Sequence, residues 1–164
     1  MPELRAATEA DLPRIAALAR WVWLDSYADA GVSASFAAYL EQAFSIETLR
    51  ASLRREPMWL IEEGEQLQAW AELDSTVDGQ LELTKLYVAP PCHGRGLGAR
   101  LLRHVRAHHP RRALWLLAWE GNEGALRFYR REGARLIGEG WFELEGQRHR
   151  NERLGWAALE STSP

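Results

Sequence analysis

The chain has 164 residues, of which 46% are hydrophobic, and its formal net charge is −3 at pH 7. This length and apolar fraction suit one domain with a sizeable core, and the acidic balance gives no sign of a nucleic-acid-binding surface. The single cysteine excludes an intramolecular disulfide, and no unbroken apolar run approaches the roughly 18 residues of a membrane helix. The first 15 residues meet charges too early for a secretory signal. We therefore expect a cytoplasmic protein with no nucleic-acid or membrane partner, folded as a single domain over residues 1–160 with a short tail at 161–164.

The first third of the chain predicts one strand and three helices. "ELRAA" is a short opening strand, and residues 8–23 carry apolar side chains at helical spacing behind an approximate capping box of Thr8 and Asp11. Residues 25–44 are predicted to be irregular apart from a short helix over "SASFAAYLEQAF". A stronger helix opens at Ser45.

The middle of the chain predicts an antiparallel meander followed by a helix. "MWLIEE", "QLQAWAELD" and "QLELTKLYV" are strand-like runs separated by turn signals. The next helix starts near Leu97, because Leu97, Leu101, Leu102 and Val105 share one face, and it ends before Pro110.

The last third predicts a strand, a helix and a hairpin. "RALWLLAW" is a buried strand, and Asn122 and Gly133 mark the start and the end of a helix. Two further strands are joined through "EGQ". The complete order predicts a mixed α/β sheet with one βαβ crossover near its centre.

The junction "VAPPCHGRGLGARLL", residues 88–102, places alternating glycines where a helix begins. The first N–H groups of a helix have no partner inside it, and the helix dipole makes that end partly positive, so the junction suits a phosphate. A simple turn is one alternative. A P-loop is excluded because Ala99 and Arg100 stand where a lysine and a hydroxyl residue are required.

A dinucleotide-binding loop is the alternative from a different functional class. Gly94, Gly96 and Ala99 satisfy G-x-G-x-x-A, and Glu120 lies where a ribose-binding acid is expected, which would make the chain an NAD(P)-dependent oxidoreductase. Three features weigh against it. The preceding strand belongs to a meander, "APPCH" replaces a tight turn, and too little chain follows for a second nucleotide-binding half.

Three blocks of the sequence resemble the GNAT superfamily of N-acetyltransferases. "HGRGLG" resembles its acyl-CoA loop, Q/R-x-x-G-x-G/A, while "LELTKLYVAP" and "NEGALRFYRREGA" resemble the blocks before and after it. The resemblance covers the whole chain. It implies a mixed, mostly antiparallel central sheet, one central βαβ crossover that carries the loop, and helices on both faces. His93 departs from the usual Gln or Arg, and Ala134 replaces a bulky apolar residue.

The resemblance also implies acetyl-CoA as cosubstrate and a set of residues that bind it. Backbone N–H groups of the loop would cradle the pyrophosphate, and the strand before the loop would pair with the pantetheine arm as with a neighbouring strand. The N–H of Leu86 or Val88 would face the thioester carbonyl. Arg95 and Arg100 would attract phosphates or simply form a solvated helix face. The implied cofactor-binding residues are Leu86, Tyr87, Val88, His93, Gly94, Arg95, Gly96, Leu97, Gly98, Asn122 and Tyr129.

Two residues are candidates for proton transfer. By the resemblance, Tyr129 would donate a proton to the coenzyme sulfur, and Glu82 would accept one from the amine. Glu82 is equally explained as an outward-facing strand residue, Glu72 and Glu120 are weaker candidates, and ordered water is a further alternative. Cys92 has no evident histidine and acid partners, which favours direct transfer over an acyl-enzyme. The histidines lack the spacing of a metal site, so none is expected.

The resemblance implies an acceptor site built by the segment after the first helix, the middle strands and the final hairpin, where aromatic residues and carboxylates suit a cationic amine. We expect Trp23, Tyr27 and Glu72 to bind it, although aromatic residues of this kind are also typical of a core. "WVWLDSYADAG" resembles the first-helix region of relatives that acetylate polyamines and similar amines. A small primary amine is therefore the expected acceptor. A coenzyme-binding module without turnover is the non-enzymatic alternative, and a homodimer is expected because relatives often dimerise.

Overall fold

The computed structural model describes residues 1–76 and 78–160, so the predicted tail at 161–164 lies outside the described residues. The described α-helices are α1 (Leu12–Tyr27), α2 (Ala34–Ala43), α3 (Ile46–Arg55), α4 (Leu97–His108) and α5 (Glu123–Arg131). The described strands are β1 (Glu3–Ala6), β2 (Trp59–Glu63), β3 (Gln66–Ser75), β4 (Leu81–Val88), β5 (Leu114–Trp119), β6 (Arg135–Leu144) and β7 (Gln147–Trp156). No helix in the described ranges is long and apolar enough to cross a membrane.

The strands form a seven-stranded sheet in the order β1-β2-β3-β4-β5-β7-β6. The pairs β1–β2, β2–β3, β5–β7 and β6–β7 are antiparallel, whereas β4 and β5 are parallel. Since α4 connects the two parallel strands, they form the predicted βαβ crossover. The predicted mixed, mostly antiparallel sheet is confirmed.

The described chain falls into two compact units. The first unit consists of Met1–Asp74 and Lys85–Val105, and the second of Ser75–Thr84 and Arg106 onward. The single domain expected over residues 1–160 stays a prediction.

The core of the first unit is built from the apolar faces of its helices and strands. In α4, the predicted stripe of Leu97, Leu101, Leu102 and Val105 is buried, as its helical spacing requires. The strands contribute fully buried side chains, among them Trp70, whose indole N–H donates to the Met58 sulfur at 3.4 Å.

A network of ion pairs ties β1 to the start of α1 in the first unit. The buried Asp11 carboxylate accepts two hydrogen bonds from Arg5 at 2.8 Å, one from Arg14 at 2.8 Å and one from the Thr8 N–H at 2.7 Å. Arg5 and Arg14 also bind Glu62 on β2. Hydrogen bonds from Arg5 hold the pKa values of both carboxyl groups, Asp11 and Glu62, below their ordinary range. The network depends on both carboxylates being ionised.

Most helix boundaries follow the capping residues of the sequence. The side chains of Ser33, Ser45 and Asn122 each accept a hydrogen bond from the N–H three residues later. The prediction was wrong for the end of α1, which continues to Tyr27. The Trp23 and Tyr27 rings lie one helical turn apart at 4.8 Å, and this contact stabilises a turn that the local sequence leaves ambiguous.

The second unit contains the beginning of β4, strand β5, helix α5 and the final hairpin. Leu114, Leu116, Leu154 and Trp156 are buried along β5 and β7. Helix α5 ends before Gly133, which has a φ of +94°, a conformation that favours glycine after a helix. The hairpin turns at Glu145 and Gly146, as "EGQ" predicts.

Candidate functional site

The glycine-rich junction forms the start of α4 in the first unit. A single 3-10 turn, Pro90–Cys92, precedes it, and Gly94 and Gly96 have φ values of +78° and +77°. Side chains would fit there, because a Cβ at either glycine would meet no atom within 4 Å. Glycine is therefore favoured by the backbone conformation.

The N-terminus of α4 presents backbone donors to this loop. The Arg100 N–H donates to the Gly96 carbonyl oxygen at 3.0 Å, which sets the start of the helical hydrogen-bond ladder. The N–H groups of the turn before Arg100 consequently have no acceptor within the helix. Together with the helix dipole, they make this end of α4 suited to an anion.

The arginines near the loop have separate positions. The Arg100 guanidinium donates to the Pro2 carbonyl oxygen at 2.8 Å, so it is bound to the N-terminal segment. Arg95 lies in the loop itself with an exposed side chain. Of these two arginines, Arg95 is the one whose charge remains beside the glycines.

His93 connects the loop to the end of β4. Its Nε2 atom lies 2.9 Å from the Val88 carbonyl oxygen, so the imidazole N–H donates to this oxygen when Nε2 carries the proton. The sequence departure at His93 therefore has a structural role that the glycine pattern does not indicate. The bond uses the carbonyl of Val88 and does not involve its N–H.

The end of β4 lies in the first unit and its beginning in the second. Leu86, Tyr87 and Val88 are half-buried, and the Tyr87 ring contacts those of Phe44 and Trp70 at centroid distances of 6.3 and 5.8 Å. These contacts hold the Tyr87 side chain in the aromatic packing of the first unit.

Strands β4 and β5 pair with each other at the beginning of both strands. The pairing consists of Leu81 opposite Leu114 and Glu82 opposite Trp115. Glu82 is half-buried on the face opposite Leu81 and Leu83, which are buried. The structure thus places the predicted base on the parallel pair.

Tyr129 and Asn122 both lie on α5 in the second unit. The Tyr129 ring contacts those of Phe128 and Trp156 at 5.1 and 6.2 Å, and burial raises the pKa of its phenol above the usual value. The phenol therefore keeps its proton throughout the neutral range. Asn122 caps the helix, since its Oδ1 accepts from the Ala125 N–H at 3.1 Å.

The other predicted acids are found in ion pairs. The Glu72 carboxylate lies 3.5 Å from the Lys85 ammonium, and only 12% of the Glu72 side chain is exposed. Glu120 lies 3.4 Å from Arg150. The pairing of Glu120 with an arginine does not favour the ribose-binding role of the dinucleotide alternative.

The predicted acceptor aromatics form a cluster in the first unit. Trp23 lies 4.8 Å from Tyr27, 4.9 Å from Phe36 and 5.1 Å from Tyr39, measured between ring centroids. Trp23 is only 6% exposed and packs as a core residue, whereas Tyr27 is half-buried and burial raises its pKa. The structure brings Trp23 and Tyr27 together and holds Glu72 in its pair with Lys85.

The predicted coenzyme and proton-transfer residues are divided between the units. Leu86, Val88 and the loop 93–98 belong to the first unit, while Glu82, Asn122 and Tyr129 belong to the second. Among residues 1–76 and 78–160, no group of three His, Cys, Asp or Glu side chains is placed to hold a metal ion.

The chain is similar to known acetyltransferases in sequence and in fold. A family model described as "Acetyltransferase (GNAT) family" matches residues 15–134, a range that includes the glycine loop and Tyr129. An uncharacterized N-acetyltransferase of Mycobacterium tuberculosis is 32% identical over 131 residues, which cover 77% of this chain and 76% of the relative. The peptidyl-lysine N-acetyltransferase of Escherichia coli is 30% identical over 83 residues, 51% of this chain and 53% of that protein.

Among solved structures, the PaiA N-acetyltransferase of Thermoplasma acidophilum, crystallised in complex with coenzyme A, shares the fold. The TM-score is 0.75 at 19% sequence identity, and the match covers 93% of this chain and 98% of that chain.

Proposed function

We propose a reaction and an acceptor for this chain from one premise, that the chain belongs to the GNAT family of acetyltransferases. It is an acyl-CoA-dependent N-acyltransferase with acetyl-CoA as cosubstrate. The proposed reaction moves the acetyl group directly from acetyl-CoA to a small primary amine. Family membership disfavours both the NAD(P)-dependent oxidoreductase and the coenzyme-binding module without turnover.

The glycine-rich junction is the observation that carries the proposal. Residues 93–98 combine two glycines of positive φ with a helix start whose N–H groups point out of the helix. A diphosphate offers the negative charge and the acceptor oxygens that such a site binds. We assign the pyrophosphate of acetyl-CoA to this junction, with Arg95 adding attraction from the solvent side.

The end of β4 is assigned to the acetyl-bearing arm. Backbone groups of Leu86 and Val88 would pair with the pantetheine amides, and one N–H would donate to the thioester oxygen as it becomes an oxyanion. Loss of such a donor costs about 3 to 4 kcal/mol of transition-state stabilisation in other enzymes. The contact of His93 with the Val88 carbonyl supports this role, because it holds the end of the strand in place.

Proton transfer is assigned to one residue on α5 and one on β4. Tyr129 carries its proton at neutral pH, as a phenol of ordinary pKa does, so it would donate to the departing thiolate as the C–S bond breaks. Glu82 would accept, directly or through water, the proton that the nitrogen loses as the N–C bond forms. Cys92 is buried, which supports transfer without an acyl-enzyme.

We assign a small cationic amine as the acceptor. Tyr27 offers a half-buried ring next to Trp23, and aromatic faces attract ammonium groups. Glu72 would contribute negative charge after exchanging its partner Lys85 for the amine. A relative that acetylates peptidyl-lysine also acts on a primary amine. We further propose a cytoplasmic location and a homodimer.

The test is thiol release from acetyl-CoA with a panel of amines. Small diamines and monoamines should be acetylated, with the product identified by mass spectrometry, and turnover only with lysine peptides or protein N-termini would overturn the proposed acceptor. Tyr129→Phe should lower kcat by about 100-fold while the Kd for acetyl-CoA changes little. Equal kcat values for Tyr129→Phe and the wild type would remove the role of Tyr129.

A further inference from the structure

Lys85 is the only lysine in the sequence. Lysine and arginine together number 20, and the other 19 are arginines. An arginine side chain stays protonated in proteins, whereas a lysine amine becomes a nucleophile once it loses a proton. Lys85 is therefore the one side chain of the sequence that carries a primary amine, the same chemical group as the proposed acceptor.

Lys85 lies on the part of β4 that belongs to the first unit. Its ammonium is 3.5 Å from the Glu72 carboxylate on β3, and 25% of its side chain is exposed. Glu72 is the carboxylate assigned to the acceptor amine. The ion pair therefore holds a primary ammonium of the chain itself where the ammonium of the substrate would bind.

The ion pair shares a face of the first unit with the aromatic residues proposed for the acceptor. Strand alternation places Lys85 on the face of Tyr87 and Glu72 on the face of Trp70, and these two rings are 5.8 Å apart. Ring contacts then continue from Tyr87, at centroid distances of 6.3, 6.3 and 5.1 Å, through Phe44 and Tyr39 to Trp23. Lys85 thus borders the proposed acceptor site.

Lys85 also directly precedes a backbone donor assigned to the thioester. The Leu86 N–H belongs to the peptide group that joins Lys85 to Leu86. Because the lysine amine sits on a flexible four-carbon stem, it can turn from Glu72 towards an acetyl group held beside this peptide. A tethered amine of this kind reacts at a high effective concentration.

We infer that the enzyme acetylates its own Lys85, an inference that rests on the proposed transfer of an acetyl group from acetyl-CoA to an amine. Glu72 takes one proton from the Lys85 ammonium, and the neutral amine attacks the thioester carbon. The N–C bond forms, the C–S bond breaks, and the nitrogen loses a second proton to solvent. The departing thiolate takes up one proton, so each acetyl transfer releases one proton in total.

Acetylation of Lys85 changes the charge beside Glu72. An acetylated lysine has lost its positive charge and its ammonium donors. The Glu72 carboxylate then attracts the ammonium of an acceptor without competition from Lys85. The modification therefore raises the affinity of the proposed acceptor site for amines.

Self-acetylation is measured on the wild-type protein with acetyl-CoA and no acceptor. Mass spectrometry of proteolytic peptides should find one acetyl group on Lys85 of each chain. The rate per chain should saturate with acetyl-CoA and stay constant as the protein concentration changes, because the amine and the bound coenzyme belong to one complex. The chain unfolded in urea is the reference for purely chemical acetylation. A rate equal to that reference, or one that rises with protein concentration, overturns the inference.

Glu72→Gln tests the proton acceptor of this step. The variant should acetylate Lys85 about 100-fold more slowly than the wild type, because its amide cannot take the proton of the ammonium. Asp74→Asn is the matched control, since Asp74 lies on the same strand and pairs with Arg55 instead. It should acetylate Lys85 at the wild-type rate, and equal rates for the two variants remove the role of Glu72.

Two variants at Lys85 test the effect on the acceptor. Lys85→Gln lacks the charge, as the acetylated side chain does, whereas Lys85→Arg keeps the charge and accepts no acetyl group. The KM for an amine that the wild type acetylates should be about 5-fold lower for Lys85→Gln than for Lys85→Arg. Equal KM values overturn the effect on Glu72.

The same measurements separate self-acetylation from the proposed function. A wild type that acetylates amines of the panel while Lys85 stays unmodified overturns the inference and leaves the proposed reaction standing. A wild type that modifies Lys85 and acetylates no amine of the panel supports the inference and overturns the proposed acceptor.

Discussion

Gly96→Ala separates the conformational role of the loop glycine from its effect on overall stability. Gly96 has a φ of +77°, and its Cβ position is open, so the cost of a methyl group comes from the backbone. The left-handed conformation costs a residue with a Cβ about 1 to 2 kcal/mol. If the loop of the variant relaxes to avoid this cost, acetyl-CoA must restore the binding conformation. Its Kd should then rise about 5-fold to 30-fold.

Gly64→Ala supplies a matched control in the turn between β2 and β3. Gly64 has a φ of +60° and an equally open Cβ position. Gly64→Ala should lower the melting temperature by about 2 to 8 °C, as expected for 1 to 2 kcal/mol in a chain of this size. Gly96→Ala should lower it less, because its loop relaxes while acetyl-CoA is absent. Titration calorimetry with acetyl-CoA should show the weaker binding for Gly96→Ala alone. Equal Kd values for the two variants would refute the assignment of the loop to the coenzyme.

The remaining predictions concern the ion-pair network and the loop histidine. Asp11→Asn should lower the free energy of unfolding, measured in urea, by about 3 kcal/mol, because Arg5 and Arg14 lose their buried partner. The control is Glu9→Gln, which removes an exposed ion pair with Arg50 and should change the free energy of unfolding by less than about 1 kcal/mol. Since the pKa values of Asp11 and Glu62 are lowered on folding, the unfolded chain binds more protons in acid, and wild-type stability should fall as the pH drops below their ordinary values of 3.8 and 4.5. The fall should be shallower for Asp11→Asn, and identical slopes would contradict this explanation. His93→Ala should raise the KM for acetyl-CoA, and His93→Gln should restore it because the amide also donates a hydrogen bond; equal KM values for both variants would remove the role of the Val88 contact.

Features that depend on neighbouring residues could be predicted from the sequence. The start of α5 follows from Asn122, whose side chain reaches an N–H three residues away, and the loop conformation follows from Gly94 and Gly96. The parallel pairing of β4 and β5 follows from the helix between them. In each case the interaction is local or is imposed by connectivity.

Features that depend on distant residues could not be predicted. Arg100 binds the Pro2 carbonyl across 98 residues of sequence, and no periodic pattern relates the two positions. The last turn of α1 is stabilised by the contact of the Tyr27 ring with Trp23, whose own position depends on its contacts with Phe36 and Tyr39 of α2.

Backbone amide resonances of the loop test the central claim most directly. In a titration followed by ¹⁵N–¹H correlation spectra, coenzyme A should shift the signals of Gly94, Gly96 and Gly98. Pantetheine, which lacks the diphosphate, should leave these signals in place. Saturable binding of coenzyme A with those three signals unmoved would contradict the account, because the diphosphate would then lie elsewhere.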